Sequence, residues 1–155
     1  MNVRAPCYVV ASGSAECARC GRWTHVVAVA LPCDHEVAGD DSDESGDGAR
    51  TVHWQAAEIG ALLFYIRDLP ESVQRRIAAL TSSFRLAVSA QTGDAYWMNH
   101  CEQCGAAVED HDLHCEPGGA FMPMSAHAAA AIRLLQIFEP FQAAAGGYAF
   151  DGEFL

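Results

Sequence analysis

Two Cys-x-x-Cys-Gly elements constrain this chain more than anything else in it. They are Cys17-Ala18-Arg19-Cys20-Gly21 and Cys101-Glu102-Gln103-Cys104-Gly105. Two cysteines with two residues between them set their sulfurs on one side of a tight turn. The glycine that follows permits a left-handed backbone, which lets amides point at those sulfurs. Each turn is half of a tetrahedral thiolate site, with zinc–sulfur bonds near roughly 2.3 Å. Together Cys17, Cys20, Cys101 and Cys104 form a closed set of four ligands. That predicts one structural Zn2+ bound by four thiolates, serving folding and not catalysis, because no coordination position stays open. Iron accepts the same ligands, and spacing does not separate the two metals. A thioredoxin-like redox pair would be single and would open a helix.

The first pair is followed by Trp23-Thr24-His25-Val26-Val27-Ala28-Val29-Ala30-Leu31, a β-branched run stopped by Pro32. The second pair is preceded by Ala95-Tyr96-Trp97-Met98. That is the knuckle arrangement of a zinc ribbon, with residues 21–100 inserted between its halves. Loop closure grows costlier only logarithmically with length, and metal binding in small zinc peptides is worth roughly 10–16 kcal/mol. Within the insertion, residues 53–67 carry Trp54, Ile59, Leu62, Phe64 and Ile66 and read as a buried helix, although Gly60 and the β-branched residues admit strand. Pro70 and Glu71 start a second helix with Val73, Ile77 and Leu80 on its apolar stripe. Phe84–Val88 and Ala95–Met98 read as a hairpin around Gln91-Thr92-Gly93-Asp94. Ser125 caps a last helix, Ala126 to Phe138, stopped by Pro140. Residues 1–16 read as an irregular lead or short strand.

The expected fold is therefore α+β. A small antiparallel sheet is built on a zinc ribbon, with a long helical insertion at 53–90 and a C-terminal helix, in one domain over residues 1–155. Residues 38–49 are polar and acidic and read as a flexible loop. A calcium loop does not fit them, since the bidentate glutamate at the twelfth position is missing.

Charge narrows the partners. There are 20 acidic residues against 9 basic ones, a net charge of −11. Direct nucleic-acid binding is disfavoured, because phosphate is met by lysine and arginine. Anionic membrane surfaces repel such a chain as well. Four thiolates and one Zn2+ take the formal charge from −11 to about −13. Arg19 and Arg22 flank the first pair and can soften that charge. No run reaches the roughly 18 apolar residues of a spanning helix, and Tyr8-Val9-Val10-Ala11 is too short for a secretory signal. Seven cysteines, an odd number, argue against a disulfide framework. A cytoplasmic location is the expectation.

A second, catalytic metal would need about three ligands and a water. His111, His114 and Cys115 in one stretch, and Cys33, His35 and Glu36 in another, are the candidates. No complete deaminase or His-Glu-x-x-His signature accompanies them. His100 is a candidate to support or replace a cysteine. A His114→Ala change is expected to be mild.

The stretch Tyr96-Trp97-Met98-Asn99-His100-Cys101-Glu102-Gln103-Cys104-Gly105-Ala106 leads to Asp112-Leu113-His114 and Glu116-Pro117-Gly118-Gly119. It resembles a group of uncharacterised bacterial proteins with split zinc-ribbon cysteines, and Tyr65-Ile66-Arg67-Asp68-Leu69-Pro70 is similar to theirs. The resemblance covers residues 17–31 and 63–123. It implies metal at Cys17, Cys20, Cys101 and Cys104 and carries no activity. Cys115 and the acidic loop are not shared features.

The function expected from these observations is a zinc-stabilised cytoplasmic protein–protein interaction module whose acidic surface meets a basic partner. The absence of a complete catalytic signature leans away from an enzyme. A zinc-dependent hydrolase using His111, His114 and Cys33 or His35 is the alternative. A third reading is an acidic inhibitor of a nucleic-acid-binding protein. The sequence does not specify the oligomeric state.

Overall fold

The computed structural model describes residues 1–39 and 52–149. Apart from Ala38 and Gly39, the acidic loop expected at 38–49 lies outside the described residues. The elements are β1 (Val3–Ala5), β2 (Tyr8–Glu16), β3 (Trp23–Leu31), β4 (Glu36–Gly39), β5 (His53–Ala56), β6 (Ala61–Asp68), α1 (Glu71–Ala78), β7 (Phe84–Val88), β8 (Ala95–His100), β9 (Ala107–Val108), α2 (Asp110–His114), α3 (Ala126–Ala130), β10 (Arg133–Ile137) and β11 (Phe141–Ala149). Of the described residues, strand makes up 46% and helix 13%, so the fold is all-β in character and the α+β expectation is overturned.

The strands run in the order β10-β2-β3-β6-β11-β1-β4-β5, every pair antiparallel. On the flank of this series β8 joins β6, β7 and β9. The organising strand is β3, which is buried on both faces. Successive side chains of a strand point to opposite sides. Val27, Val29 and Leu31 therefore enter one core with Val10, Leu63, Phe141 and Ile137. Val26, Ala28 and Ala30 enter another with Ala11, Leu62, Leu113 and Phe121. That explains the unbroken apolar run, since a strand with one wet face would alternate. Helix α1 covers the first core with Val73 and Ile77. Helix α2 and the loop after it cover the second with Leu113 and Phe121.

Three helical expectations fail for identifiable reasons. Residues 53–67 form β5 and β6, because Leu62 and Leu63 alternate between the two cores and the backbone is satisfied by β3 and β11. A short apolar run carries no periodic signal that separates buried helix from buried strand. The helix capped by Ser125 is real but stops at Ala130, its cap accepting the Ala128 amide at 3.1 Å. Beyond it, Leu134 and Leu135 lie in β10, which pairs with β2 from Arg133↔Ser12 to Ile137↔Tyr8. The long helical insertion reduces to α1, and there Leu80 is exposed beyond the helix end. Residues 1–16, read as an irregular lead or short strand, give β1 and the nine-residue β2. The hairpin β7–β8 and the strand β3 ending before Pro32 match expectation.

Two asparagines repair irregular places in the sheet. Register shifts between Ala144 and Ala145 where β11 meets β6. There the Asn2 side chain donates to the Ala145 carbonyl at 2.8 Å and accepts its amide at 2.9 Å. Asn99, on β8, does the same for Val27 of β3, both bonds 2.9 Å. Each carboxamide replaces a missing strand neighbour, so the backbone groups of Ala145 and Val27 are paired there.

Strand β6 bends at Tyr65, whose φ is +53°. A non-glycine residue there costs on the order of 1–2 kcal/mol. The carboxylate of Asp110 accepts the Tyr65 amide at 2.7 Å and holds the bend. Opposite, Gly147 makes room: a Cβ on it would lie 2.3 Å from the Phe64 ring. Close approach also requires Gly119, where a Cβ would meet the carbonyl oxygens of Asp112 and Leu113 at 2.5 and 2.7 Å. Backbone at the end of α2 cannot retreat as a flexible side chain would. Gly119→Ala is accordingly expected to lower stability by about 1–3 kcal/mol, measured by urea denaturation. An unchanged midpoint would show that the loop shifts freely.

Candidate metal centre

Both Cys-x-x-Cys elements sit at the tips of β-hairpins, the first between β2 and β3 and the second between β8 and β9. The two tips repeat one backbone pattern. The Gly21 amide donates to the Cys17 carbonyl and the Gly105 amide to the Cys101 carbonyl, both at 2.8 Å. The Cys17 amide donates to the Arg22 carbonyl at 2.9 Å and the Cys101 amide to the Ala106 carbonyl at 2.8 Å. Gly21 and Gly105 have φ of +68° and +71°. This is the left-handed position expected of a glycine after the second cysteine.

The tips meet. The Cys17 and Cys104 sulfurs are 3.6 Å apart, and those of Cys20 and Cys101 are 3.7 Å apart. All four sulfurs lie within 4.8 Å of one another. A regular tetrahedron with metal–sulfur bonds near 2.3 Å has edges of about 3.8 Å, so the cluster suits a single ion. The first cysteine of each knuckle is buried and the second exposed. One end of the site therefore faces the protein and the other faces water.

The surroundings favour thiolate at the buried end. Amides of Cys20 and Arg19 directed at the Cys17 sulfur pull that thiol below its usual value. Amides of Cys104, above all, and of Gln103 bring the Cys101 thiol down to about 6, against the opposing effect of burial. At Cys20 the Arg22 amide acts downward. Desolvation and the three neighbouring sulfurs outweigh it and push the thiol up to about 11. Four sulfurs this close cannot all be anionic without a cation among them, which a divalent metal supplies.

Side chains outside the ligand set lock the two hairpins together, and sequence reasoning missed them. Besides Asn99 on Val27, the Glu102 amide donates to the Thr24 hydroxyl at 2.9 Å. The Arg22 guanidinium donates to the side-chain oxygen Oε1 of Gln103 at 3.3 Å. The available signal was Asn99 itself, an asparagine inside a strand and two residues before a ligand. Trp23, the first residue of β3, is 69% exposed beside the first knuckle.

The remaining candidates do not converge. Among the described residues, the four cysteines are the one group of three or more His, Cys, Asp or Glu side chains able to share an ion. His100 directs Nδ1 toward the carbonyl oxygens of Ser83 and Met98, at 3.3 and 3.2 Å, and away from ligand duty. Cys33 is exposed in the turn after β3. His35 is fully buried, with Nδ1 2.7 Å from the Pro32 carbonyl oxygen. Glu36 binds Arg4 at 2.5 Å. His111 is exposed, 3.8 Å from Asp112 and 3.6 Å from Glu116. Cys115 is exposed, and desolvation with the Asp110 and Glu116 charges raises its thiol.

His114 corrects an expectation. Its ring is stacked between Phe64 and Phe121, with centroids at 5.5 and 5.1 Å. Removing it opens a cavity, so His114→Ala is a core truncation and not a mild surface change. Comparison with protein-family models, with curated proteins and with solved structures found no match to this chain.

Two predictions follow from these environments. Cys101→Ser removes a buried ligand. It is expected to abolish stoichiometric metal binding and lower the melting temperature by at least about 10 °C, well beyond the roughly 2–4 °C that 1 kcal/mol moves a domain of this size. Unchanged melting would refute the site.

The second concerns pH. Desolvation, together with the Glu109 charge and against the Tyr65 amide, raises Asp110 from 3.8 to about 7. Burial lowers His114 from 6.5 to about 4. The Asp110 contribution is thus present below about pH 4 and lost as pH rises through 7. That of His114 is present above 6.5 and lost as pH falls through 4. The two oppose each other. Asp110→Asn keeps an acceptor for Tyr65 and removes the first effect. Relative to the parent, it should gain on the order of 2–4 kcal/mol between pH 4.5 and 7.5, read from denaturant midpoints. An identical difference at both pH values would show that Asp110 does not titrate there.

Proposed function

We propose that this chain is a protein–protein interaction module held in shape by one structural zinc and acting in the cytoplasm through an acidic surface. The observation that carries the reading is the closed cluster of four sulfurs on two matched hairpin tips. A metal with four protein ligands has no place for substrate or activated water, so its contribution is to the fold. Zinc is the ion chosen because it accepts tetrahedral sulfur without preference from d-electrons and does not change oxidation state.

The surface argument rests on charge. The net value of −11 already counts all nine arginines, and there is no lysine. Several of those arginines are engaged by acids of the same chain, Arg4 by Glu36, Arg75 by Glu71 and Arg76 by Glu139. Exposed acids such as Asp34, Glu58, Asp68, Asp94 and Asp112 favour a basic partner, whose approach the field accelerates and orients. Among the described residues no helix is long and apolar enough to cross a membrane.

Elemental analysis joined to affinity capture tests both halves. One zinc per chain, retained in a mild chelator and released on unfolding, is the expected result. A visible thiolate charge-transfer band with stoichiometric iron would replace zinc by iron. Capture of basic proteins that weakens as salt rises from about 0.05 to 0.5 M supports the acidic surface. Capture indifferent to salt would remove it.

A further inference from the structure

The four sulfurs face each other in pairs across the two hairpins. Cys17 lies 3.6 Å from Cys104, and Cys20 lies 3.7 Å from Cys101. Each contact joins a buried cysteine, Cys17 or Cys101, to an exposed one, Cys104 or Cys20. Each also joins positions far apart in the chain, by 87 residues in one case and 81 in the other. The sulfurs are not the only tie between the hairpins. Asn99 holds both backbone groups of Val27, Thr24 takes the Glu102 amide, and Arg22 reaches Gln103. Each cysteine therefore stays within reach of the one it faces when no ion lies between them.

We propose that this centre is also a peroxide-responsive thiol switch, in which Cys104 and Cys20 take the oxidant and Cys17 and Cys101 then close two disulfides between the hairpins. The inference rests on the zinc reading for the reduced state. The Cys104 thiolate attacks one oxygen of hydrogen peroxide. The O–O bond breaks, the sulfur gives up two electrons and becomes a sulfenic acid, and hydroxide leaves. The Cys17 thiolate next attacks the Cys104 sulfur, which forms the S–S bond and expels a second hydroxide. Two protons from solvent turn the two hydroxides into water. Cys20 and Cys101 repeat the sequence with a second peroxide. An ion that has lost its thiolates passes to solvent.

The placement of the sulfurs favours bridges between the hairpins over bridges within a knuckle. An S–S bond is about 2.05 Å long, so each facing pair has to close by about 1.6 Å. A bridge from Cys17 to Cys20, or from Cys101 to Cys104, ties one turn to itself and leaves the hairpins unlinked. The bridges between hairpins join the same two tips that the ion joins, and they close long loops, which restrict the unfolded chain most. Oxidation thus replaces one clasp by another and conserves the fold. A thiol reductant reaches the exposed sulfur of each bridge and reverses the change.

The full chain, loaded with one equivalent of zinc, is titrated with hydrogen peroxide beside a chromophoric chelator. Its disulfides are mapped by non-reducing digestion and mass spectrometry. One zinc released for every two peroxides consumed is expected, with Cys17 linked to Cys104 and Cys20 to Cys101, and dithiothreitol should restore zinc uptake. The oxidised chain should melt above the metal-free reduced chain, because its cross-links act on the unfolded state. The variant C7S/C33S/C115S, which removes the other three cysteines, should behave like the parent. Bridges within the knuckles, sulfinic acids in place of bridges, or zinc that stays bound in excess peroxide would each overturn the proposal. A chain that takes up no stoichiometric zinc defeats the proposed function instead. Mapped on that chain, the same two bridges sustain the switch, and any other pairing ends it.

Discussion

Four sulfurs drawn to within 4.8 Å of one another, from positions far apart in the chain, are the constraint on which the arrangement of the two hairpins depends. Each hairpin tip would be a solvated turn by itself. With the sulfurs facing each other, the tips gain a common centre, and a cation there would offset negative charge that the thiolates could not otherwise bear at such distances. The polar ties alongside act in the same direction. Asn99 bonds Val27, Thr24 receives the Glu102 amide, and Arg22 reaches Gln103. They limit how far the hairpins can separate, so the four sulfurs are held close without an ion between them.

The site is coupled to the rest of the protein through β3. That strand begins at the first knuckle and runs inward until both its faces are buried, Val27 and Val29 in one core and Val26 and Ala28 in the other. Displacing the knuckle would pull on both cores at once. The same economy appears at the bend in β6. There Tyr65 tolerates a left-handed backbone because Asp110 accepts its amide and Gly147 leaves space for Phe64. Asp110 and His114 are both buried on α2 and are shifted in directions that favour the neutral form of each. Between about pH 4 and 7 the helix thereby covers the second core with both groups neutral.

Local pattern misled where tertiary pairing decided the outcome. The Ala-rich stretch after Ser125 has strong helix propensity, and the first residues do form a helix. From Arg133 onward β2 offers a full ladder of backbone partners, and propensity of a few tenths of a kcal/mol per residue cannot compete with it. Residues 53–67 are apolar at nearly every position of the second half, and such a run lacks the alternation that would have announced a strand. In both places the missing information was the identity of a neighbour distant in sequence. The histidines fail in a related way. Spacing can say that His111 and His114 are able to meet on a turn. It cannot say that His114 stacks between Phe64 and Phe121 while His111 faces solvent.

Determined by the sequence alone were the four cysteines placed to hold a metal, the two glycines that shape their turns, the strand ending before Pro32, the hairpin of β7 and β8, the start of α1 and the acidic balance. Each rests on short-range chemistry, in which residue type and spacing carry the whole physical requirement. Tertiary structure alone decided that the knuckles are equivalent hairpin tips, that β10 lies at an open edge, and that Asn99 and Asn2 complete the sheet. These depend on which backbone groups find partners across the fold, and a hydrogen-bond ladder leaves no mark at the positions it will eventually join.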